Sequence, residues 1–183
     1  MSRTDFITTA DALLNAPGLG RCELIRGELI MMSPSGFEHG RLASRIDRRL
    51  GDFVEKNALG IVTGAGTGFV IARDPDTVRA PDVGFVRSER APEQPTPGFF
   101  PGPPDLAVEV LSPNDRAGEV SAKVQDWLAA GCRAVWVVDP GKRTVAVYES
   151  GRQEVRFSIA DELQGGDLLP GFRLPVAEIF AGP

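Results

Sequence analysis

Residues 104–139 constrain this chain more tightly than any other stretch. Pro104 and Pro113 bracket the run Leu106-Ala107-Val108-Glu109-Val110-Leu111, in which Glu109 alone is charged. A short apolar run closed by prolines predicts a buried strand. Ser112-Pro113-Asn114-Asp115 has the composition of a helix-capping segment. Val120, Val124, Trp127 and Leu128 then recur at helical spacing over residues 116–130, and Gly131 supplies the stop. Ala134-Val135-Trp136-Val137-Val138 follows as a second, nearly continuous apolar strand. Strand, helix and strand over this length make a right-handed crossover, so the two strands are parallel neighbours. The chain therefore belongs to the α/β class.

Glu109 is the feature of this unit that asks for chemistry. Side chains alternate along a strand, so Asp105, Ala107, Glu109 and Leu111 share one face, and Leu106, Val108 and Val110 the other. An unpaired carboxylate buried in a strand costs several kcal/mol in rough terms, so it needs a cation. A lysine, an arginine or a metal ion would serve. From the strand alone, a structural ion pair and a metal site have equal claim.

The rest of the chain supplies one domain's worth of elements. Its 183 residues are enough for a single core and leave no clear domain boundary, so residues 1–183 read as one unit. Thr8 or Thr9 caps a short helix over residues 10–15. Two apolar runs flank Arg26-Gly27, which predicts an N-terminal β-hairpin with Glu28 just after its turn. A solvated strand residue is the commoner role for such a glutamate. Leu42, Ile46, Leu50, Phe53 and Val54 mark one buried face of a helix over residues 37–56. Arg41, Arg45, Arg48 and Arg49 gather on another face, a stripe suited to phosphates but more often simply solvated. Residues 61–63 and 69–72 read as strands, and residues 79–86 as a further strand carrying Asp82 near its start. Residues 88–103, with Pro92, Pro95, Pro97, Pro101 and Pro103 around Phe99-Phe100, form a long loop that the phenylalanines can pin to the body. Residues 144–148 return as an antiparallel edge, residues 155–158 add a strand, and the tail packs against the body.

Composition narrows the function classes. A net charge of -5 argues against a dedicated electrostatic nucleic-acid binder, although carboxylates at a metal site contribute to it. Cys22 and Cys132 are too far apart for a zinc motif, and two thiols in a reducing compartment are the simplest reading. No long apolar run suggests a leader or a membrane span, so a cytoplasmic location is expected.

If Asp82 and Glu109 lie on adjacent strands, both carboxylates converge on one hard cation. Mg²⁺ favours such a donor set, and the main-chain carbonyl of Val110 could add an oxygen. The residues Pro81-Asp82, Glu109-Val110-Leu111-Ser112-Pro113 and Lys123 resemble the Uma family of restriction-endonuclease-type proteins, within the PD-(D/E)XK nuclease superfamily. The resemblance extends to Glu23-Leu24-Ile25-Arg26-Gly27-Glu28-Leu29, to Val135-Trp136-Val137-Val138-Asp139-Pro140 and to Pro170-Gly171-Phe172. It implies a restriction-endonuclease-like fold, with a central mixed sheet flanked by the two long helices, one on each face. It implies Mg²⁺- or Mn²⁺-dependent endonuclease chemistry on DNA, with Asp82 and Glu109 on the metal and Lys123 beside the attacking water. It also places Glu28, His39 and Ser112 near the site, and fold analogy makes a homodimer the expected assembly for cutting two strands. One departure stands out: Leu111 occupies the position two after the glutamate where the superfamily motif carries lysine.

Two other classes compete. A nuclease fold without efficient catalysis, binding nucleic acid or protein, is favoured by Leu111 and by the acidic charge. A glycosidase would need a sugar platform, and Trp127 and Trp136 read as core residues. A serine hydrolase lacks its Gly-x-Ser-x-Gly elbow.

Overall fold

The computed structural model describes residues 7–94 and 97–182. The first residues of the N-terminus and Pro95 of the long loop fall outside this range. Helix α1 (Ala10–Leu14) starts at Thr9, whose side chain accepts from the Ala12 N–H. Strands β1 (Cys22–Ile25) and β2 (Glu28–Met31) form the hairpin. Its two turn residues, Arg26 and Gly27, both have positive φ, the signature of a tight turn whose twist matches the strands it joins.

The expected central mixed sheet is present, and besides it the strands form a five-stranded sheet that takes in the hairpin and a small two-stranded sheet near the C-terminus. A six-stranded sheet runs β11-β10-β9-β8-β6-β3. Its members are β3 (Gly60–Gly64), β6 (Val83–Arg87), β8 (Leu106–Val110), β9 (Ala134–Asp139), β10 (Thr144–Glu149) and β11 (Val155–Phe157). The β8–β9 pair is parallel and the other pairs are antiparallel, so this sheet is mixed. Strand β10, expected at the edge, is flanked by β11. The hairpin belongs to a second, five-stranded sheet, β2-β1-β5-β4-β7, with β4 (Phe69–Ala72), β5 (Thr77–Arg79) and β7 (Phe100–Pro101).

The expected strand over residues 79–86 is therefore two strands in two sheets, parted at Ala80-Pro81-Asp82. Pro81 has no N–H to give a ladder. Its neighbours' amides turn elsewhere: Ala80 N–H to the Glu23 carboxylate at 3.1 Å, and Asp82 N–H to the Val108 carbonyl at 3.0 Å. This crossing point sets Asp82 between the sheets.

The two faces of β8 behave as alternation predicts. Leu106, Val108 and Val110 pack with Leu42, Ile46, Leu50 and Val54 of α2 (Phe37–Lys56). Ala107 packs with Val124 and Trp127 of α3 (Ala117–Ala129) and with Val135 and Val137 of β9. The helices thus cover opposite faces. The C-terminal segment, β12 (Glu162–Gln164), β13 (Arg173–Pro175) and α4 (Val176–Phe180), closes the α2 side with Leu163, Leu174 and Ile179. Both tryptophans are buried, as expected of core residues. Phe100 pins the long loop through the Phe69 ring, with centroids 5.6 Å apart.

One backbone position tests this arrangement. Gly60 opens β3 with φ 150°, and a Cβ there would lie 2.1 Å from the Val86 carbonyl oxygen. The obstacle is backbone in the paired strand and cannot rotate away. Gly60→Ala is expected to cost about 3 kcal/mol, read as a lowered urea midpoint at unchanged slope.

Candidate active site

Five elements bring their charged residues to one place: β1, the N-terminus of α2, the β5–β6 crossing, β8 and α3. Glu109 points from β8 toward α3, with both oxygens engaged. Its Oε1 accepts from the Trp127 indole N–H at 2.8 Å, and its Oε2 from the Lys123 ammonium at 2.8 Å. Lys123 and Trp127 are four residues apart on α3, so one helix face delivers both donors. Burial, with the nearby Asp82 and Glu23 carboxylates, pushes the Glu109 carboxyl up to about 7 against the pull of Lys123. Burial alone would lower the Lys123 ammonium, but Glu109 and Glu23 hold it at about 12.

Asp82 is 4 % exposed. Its Oδ1 accepts from His39 Nε2 at 2.9 Å and from Arg21 Nη2 at 3.1 Å, and its Oδ2 from the Val110 N–H at 2.8 Å. Burial opposes ionisation here, yet the His39 and Val110 hydrogen bonds hold the carboxyl below its usual range. His39 Nδ1 lies 3.2 Å from Ser112 Oγ. The neutral tautomer that satisfies both contacts carries its proton on Nε2 and accepts the Ser112 hydroxyl on Nδ1.

Asp82, Glu109, Lys123, His39 and Ser112 are thus gathered, and Val110 joins them through its amide. Glu28 is not. It is exposed beside the hairpin turn and has no ion pair or side-chain hydrogen bond to a site residue among those described. The hairpin contributes Glu23 instead, which is buried and lies 3.1 Å from Lys123. Glu23 Oε2 accepts from Arg79 at 2.8 Å, and Arg79 reaches on to Asp126 of α3. Sequence reasoning missed Glu23, Arg79, Asp126, Arg21 and the Trp127 contact. The traces were there: Glu23 interrupts an apolar strand, Arg79 stands three before Asp82, and Asp126 stands three after Lys123. Glu28→Ala is expected to leave stability within about 0.5 kcal/mol of the parent and to leave any activity unchanged, measured side by side with Glu23→Ala.

The arginine stripe of α2 lies farther along the helix and is tied to the C-terminal segment. Arg41 pairs with Glu38 and donates to the Ala181 carbonyl at 2.7 Å. Arg45 donates to the Glu178 and Ala181 carbonyls, and Arg49 pairs with Glu178 at 2.7 Å. The guanidinium of Arg48 donates to the Ser44 carbonyl of its own helix.

This α/β fold, with carboxylates and a lysine meeting between α3 and the central strand β8, is the restriction-endonuclease-like fold. Residues 10–177 match the model of the Uma2 family, described as "Putative restriction endonuclease", and the chain belongs to that family. A crystal structure described as a "putative nuclease belonging to DUF820", from Anabaena variabilis ATCC 29413, superposes with a TM-score of 0.81 at 20% identity. The match covers 94% of this chain and 97% of that one. No curated protein matches the sequence. No helix among the described residues is long and apolar enough to cross a membrane.

Proposed function

We propose that this chain is a metal-dependent endonuclease that hydrolyses phosphodiester bonds in DNA. The observation that carries the reading is the buried meeting of Asp82, Glu109 and Lys123, drawn from a sheet crossing, a strand and a helix. Among the described residues no three His, Cys, Asp or Glu side chains form a metal-binding group. The donor set that remains still suits Mg²⁺ or Mn²⁺, which take a carboxylate or two and fill the rest with water and phosphate. Asp82, Glu109 and the Val110 carbonyl would hold the ion. The fit rests on hard oxygen donors: two buried carboxylates, Asp82 and Glu109, with the Val110 carbonyl on the same strand as Glu109. When bound, the ion would acidify water and offset charge on the phosphate.

The chain's own residues supply the remainder. Lys123 is charged throughout the neutral range and sits on the Glu109 oxygen, where it orients water and meets the negative charge that grows on the phosphoryl oxygens. Water gives up a proton as it adds to phosphorus, one P–O ester bond breaks, and the departing alkoxide takes up a proton, so the net reaction consumes one water. His39 and Arg21 hold Asp82 in register from two directions. A cleft of about 670 Å³ lies beside His39 and Ser112 and is lined also by Leu111, Val120 and Val137; His39 is its link to Asp82, which does not itself line it. Arg48 is the stripe arginine best placed to reach a phosphate, since its partner is a single carbonyl at 3.4 Å.

The test is nicking of supercoiled plasmid with Mg²⁺ or Mn²⁺ beside EDTA, with single-stranded DNA and RNA in parallel. Cleavage that depends on metal supports the reading. A second reading, a nuclease fold that binds without cutting, is favoured by the complete internal pairing of both Glu109 oxygens. Clean protein that binds DNA but neither cuts it nor binds Mn²⁺ establishes that one. Sedimentation with and without DNA tells whether a second copy of the chain supplies the second cut.

A further inference from the structure

We propose that Glu23 is a positioning residue for Lys123, retaining the ammonium in the site when Glu109 gives an oxygen to a divalent cation. The inference rests on the metal-dependent reading above. It begins from a conflict over one atom. Glu109 Oε1 is held by the Trp127 indole at 2.8 Å, so Oε2 is the oxygen Glu109 can turn toward a cation. That same Oε2 holds Lys123 at 2.8 Å. Two cations on one carboxylate oxygen repel, and the low dielectric of a buried site sharpens the repulsion. Lys123 must ease away from Glu109 and still stay within reach of the reacting water.

Its second and third contacts make that possible. Lys123 Nζ also lies 3.1 Å from Glu23 Oε1 and 3.4 Å from the Ala80 carbonyl, so its three N–H groups face three acceptors. Glu23 cannot follow the ammonium or leave it. Its Oε1 also accepts from the Ala80 amide at 3.1 Å, and its Oε2 accepts from Arg79 at 2.8 Å. Arg79 is itself bound to Asp126, three residues from Lys123 on α3. The mount therefore runs from β1 through β5 back to the helix that carries the lysine. Ala80 stands two residues before Asp82, so the arrangement also ties Lys123 to the segment bearing the other carboxylate.

A lysine without this mount has one strong partner left, Glu109, and becomes a competitor of the metal. The test is Mn²⁺ affinity by calorimetry for the wild type, Glu23→Gln, Glu23→Asp, Lys123→Met and the Glu23→Gln/Lys123→Met pair, each confirmed folded by its urea transition. Glu23→Gln is expected to weaken Mn²⁺ binding about tenfold, the scale seen when a partner of a site residue is removed. Glu23→Asp keeps the charge but withdraws it by one methylene, and the same direction of loss is expected. Lys123→Met binds more tightly than wild type, and adding Glu23→Gln to it changes affinity less than about twofold, because no ammonium remains to position. A Glu23→Gln protein that binds like wild type overturns the proposal. So does a loss that persists beside Lys123→Met, which would mean that the Glu23 charge attracts the metal directly. Wild-type protein that binds no Mn²⁺ removes the metal reading itself, and this proposal with it.

Discussion

Glu109→Gln is expected to lower the plasmid-nicking rate at least about a hundredfold while leaving the protein folded. The amide is nearly the same size as the carboxylate, so the packing of β8 against α3 stays. What changes is charge and donor pattern. Glu109 accepts on both oxygens, from Trp127 and from Lys123. An amide offers one oxygen and one NH₂, so one of those donors must face another donor. The negative charge that would attract a divalent cation is gone as well. Asp82→Asn is expected to behave alike, because Asp82 accepts from His39, Arg21 and Val110 with no donor of its own. Initial nicking rates at saturating Mn²⁺, with calorimetry of the same samples, measure both effects. Glu109→Gln protein that nicks at the wild-type rate would sink the catalytic assignment.

Arg79→Met is expected to cost about 3 kcal/mol, a drop of roughly 6–12 °C in melting temperature for a chain of this size. Arg79 is 7 % exposed and stands between Glu23 and Asp126. Methionine fills the space but leaves Glu23 one cation short, and a buried charge without its partner is the expensive case. The loss stays at the low end of the buried range because Lys123 remains on Glu23 and Asp126 is partly exposed. The pH dependence has a definite sign. Burial opposes ionisation of Glu23, but Lys123 and Arg79 together hold its carboxyl below 4.5. A depressed carboxylate contributes stability above its unfolded value and loses it as pH falls through the folded one. The gap between wild type and Arg79→Met should therefore be full at pH 7 and shrink below about pH 4.5. Thermal melts in EDTA across that range check it. A gap that holds constant down to pH 3 would show that Arg79 acts by packing and not by charge.

The local elements of this chain are written in its spacing. The Leu42, Ile46, Leu50 and Val54 stripe gave α2 and its buried face, and the alternation along β8 placed Glu109 opposite Val108 and Val110. The crossover from β8 through α3 to β9 followed from handedness and length. Arg26-Gly27 specified the hairpin because few dipeptides close so tight a turn. These features depend on residues a few positions apart, so a period or a turn residue is enough to read them.

Ion-pair partnership depends on positions far apart in the chain, and the sequence carries no period for it. Glu23 and Glu28 look alike in the hairpin, yet Glu23 is buried beside Lys123 and Glu28 is exposed. The difference arises because β1 is flanked on its other side by β5, which carries Arg79, while β2 lies at the sheet edge. The division into two sheets was hidden for the same reason. Pro81 marks a break in a ladder, but where each half pairs is decided by strands elsewhere. The arginine stripe of α2 reads as a solvated face or a phosphate surface from sequence, and only the fold shows Arg45 and Arg49 tied to Glu178 of α4. Sequence alone determined the α/β class and the helices with their buried faces, because each rests on local spacing, and its resemblance to the Uma family marked Asp82, Glu109 and Lys123 as the candidate centre. Only the tertiary structure decided which carboxylate holds which cation, because a buried charge is satisfied by whatever the fold brings within about 3 Å of it.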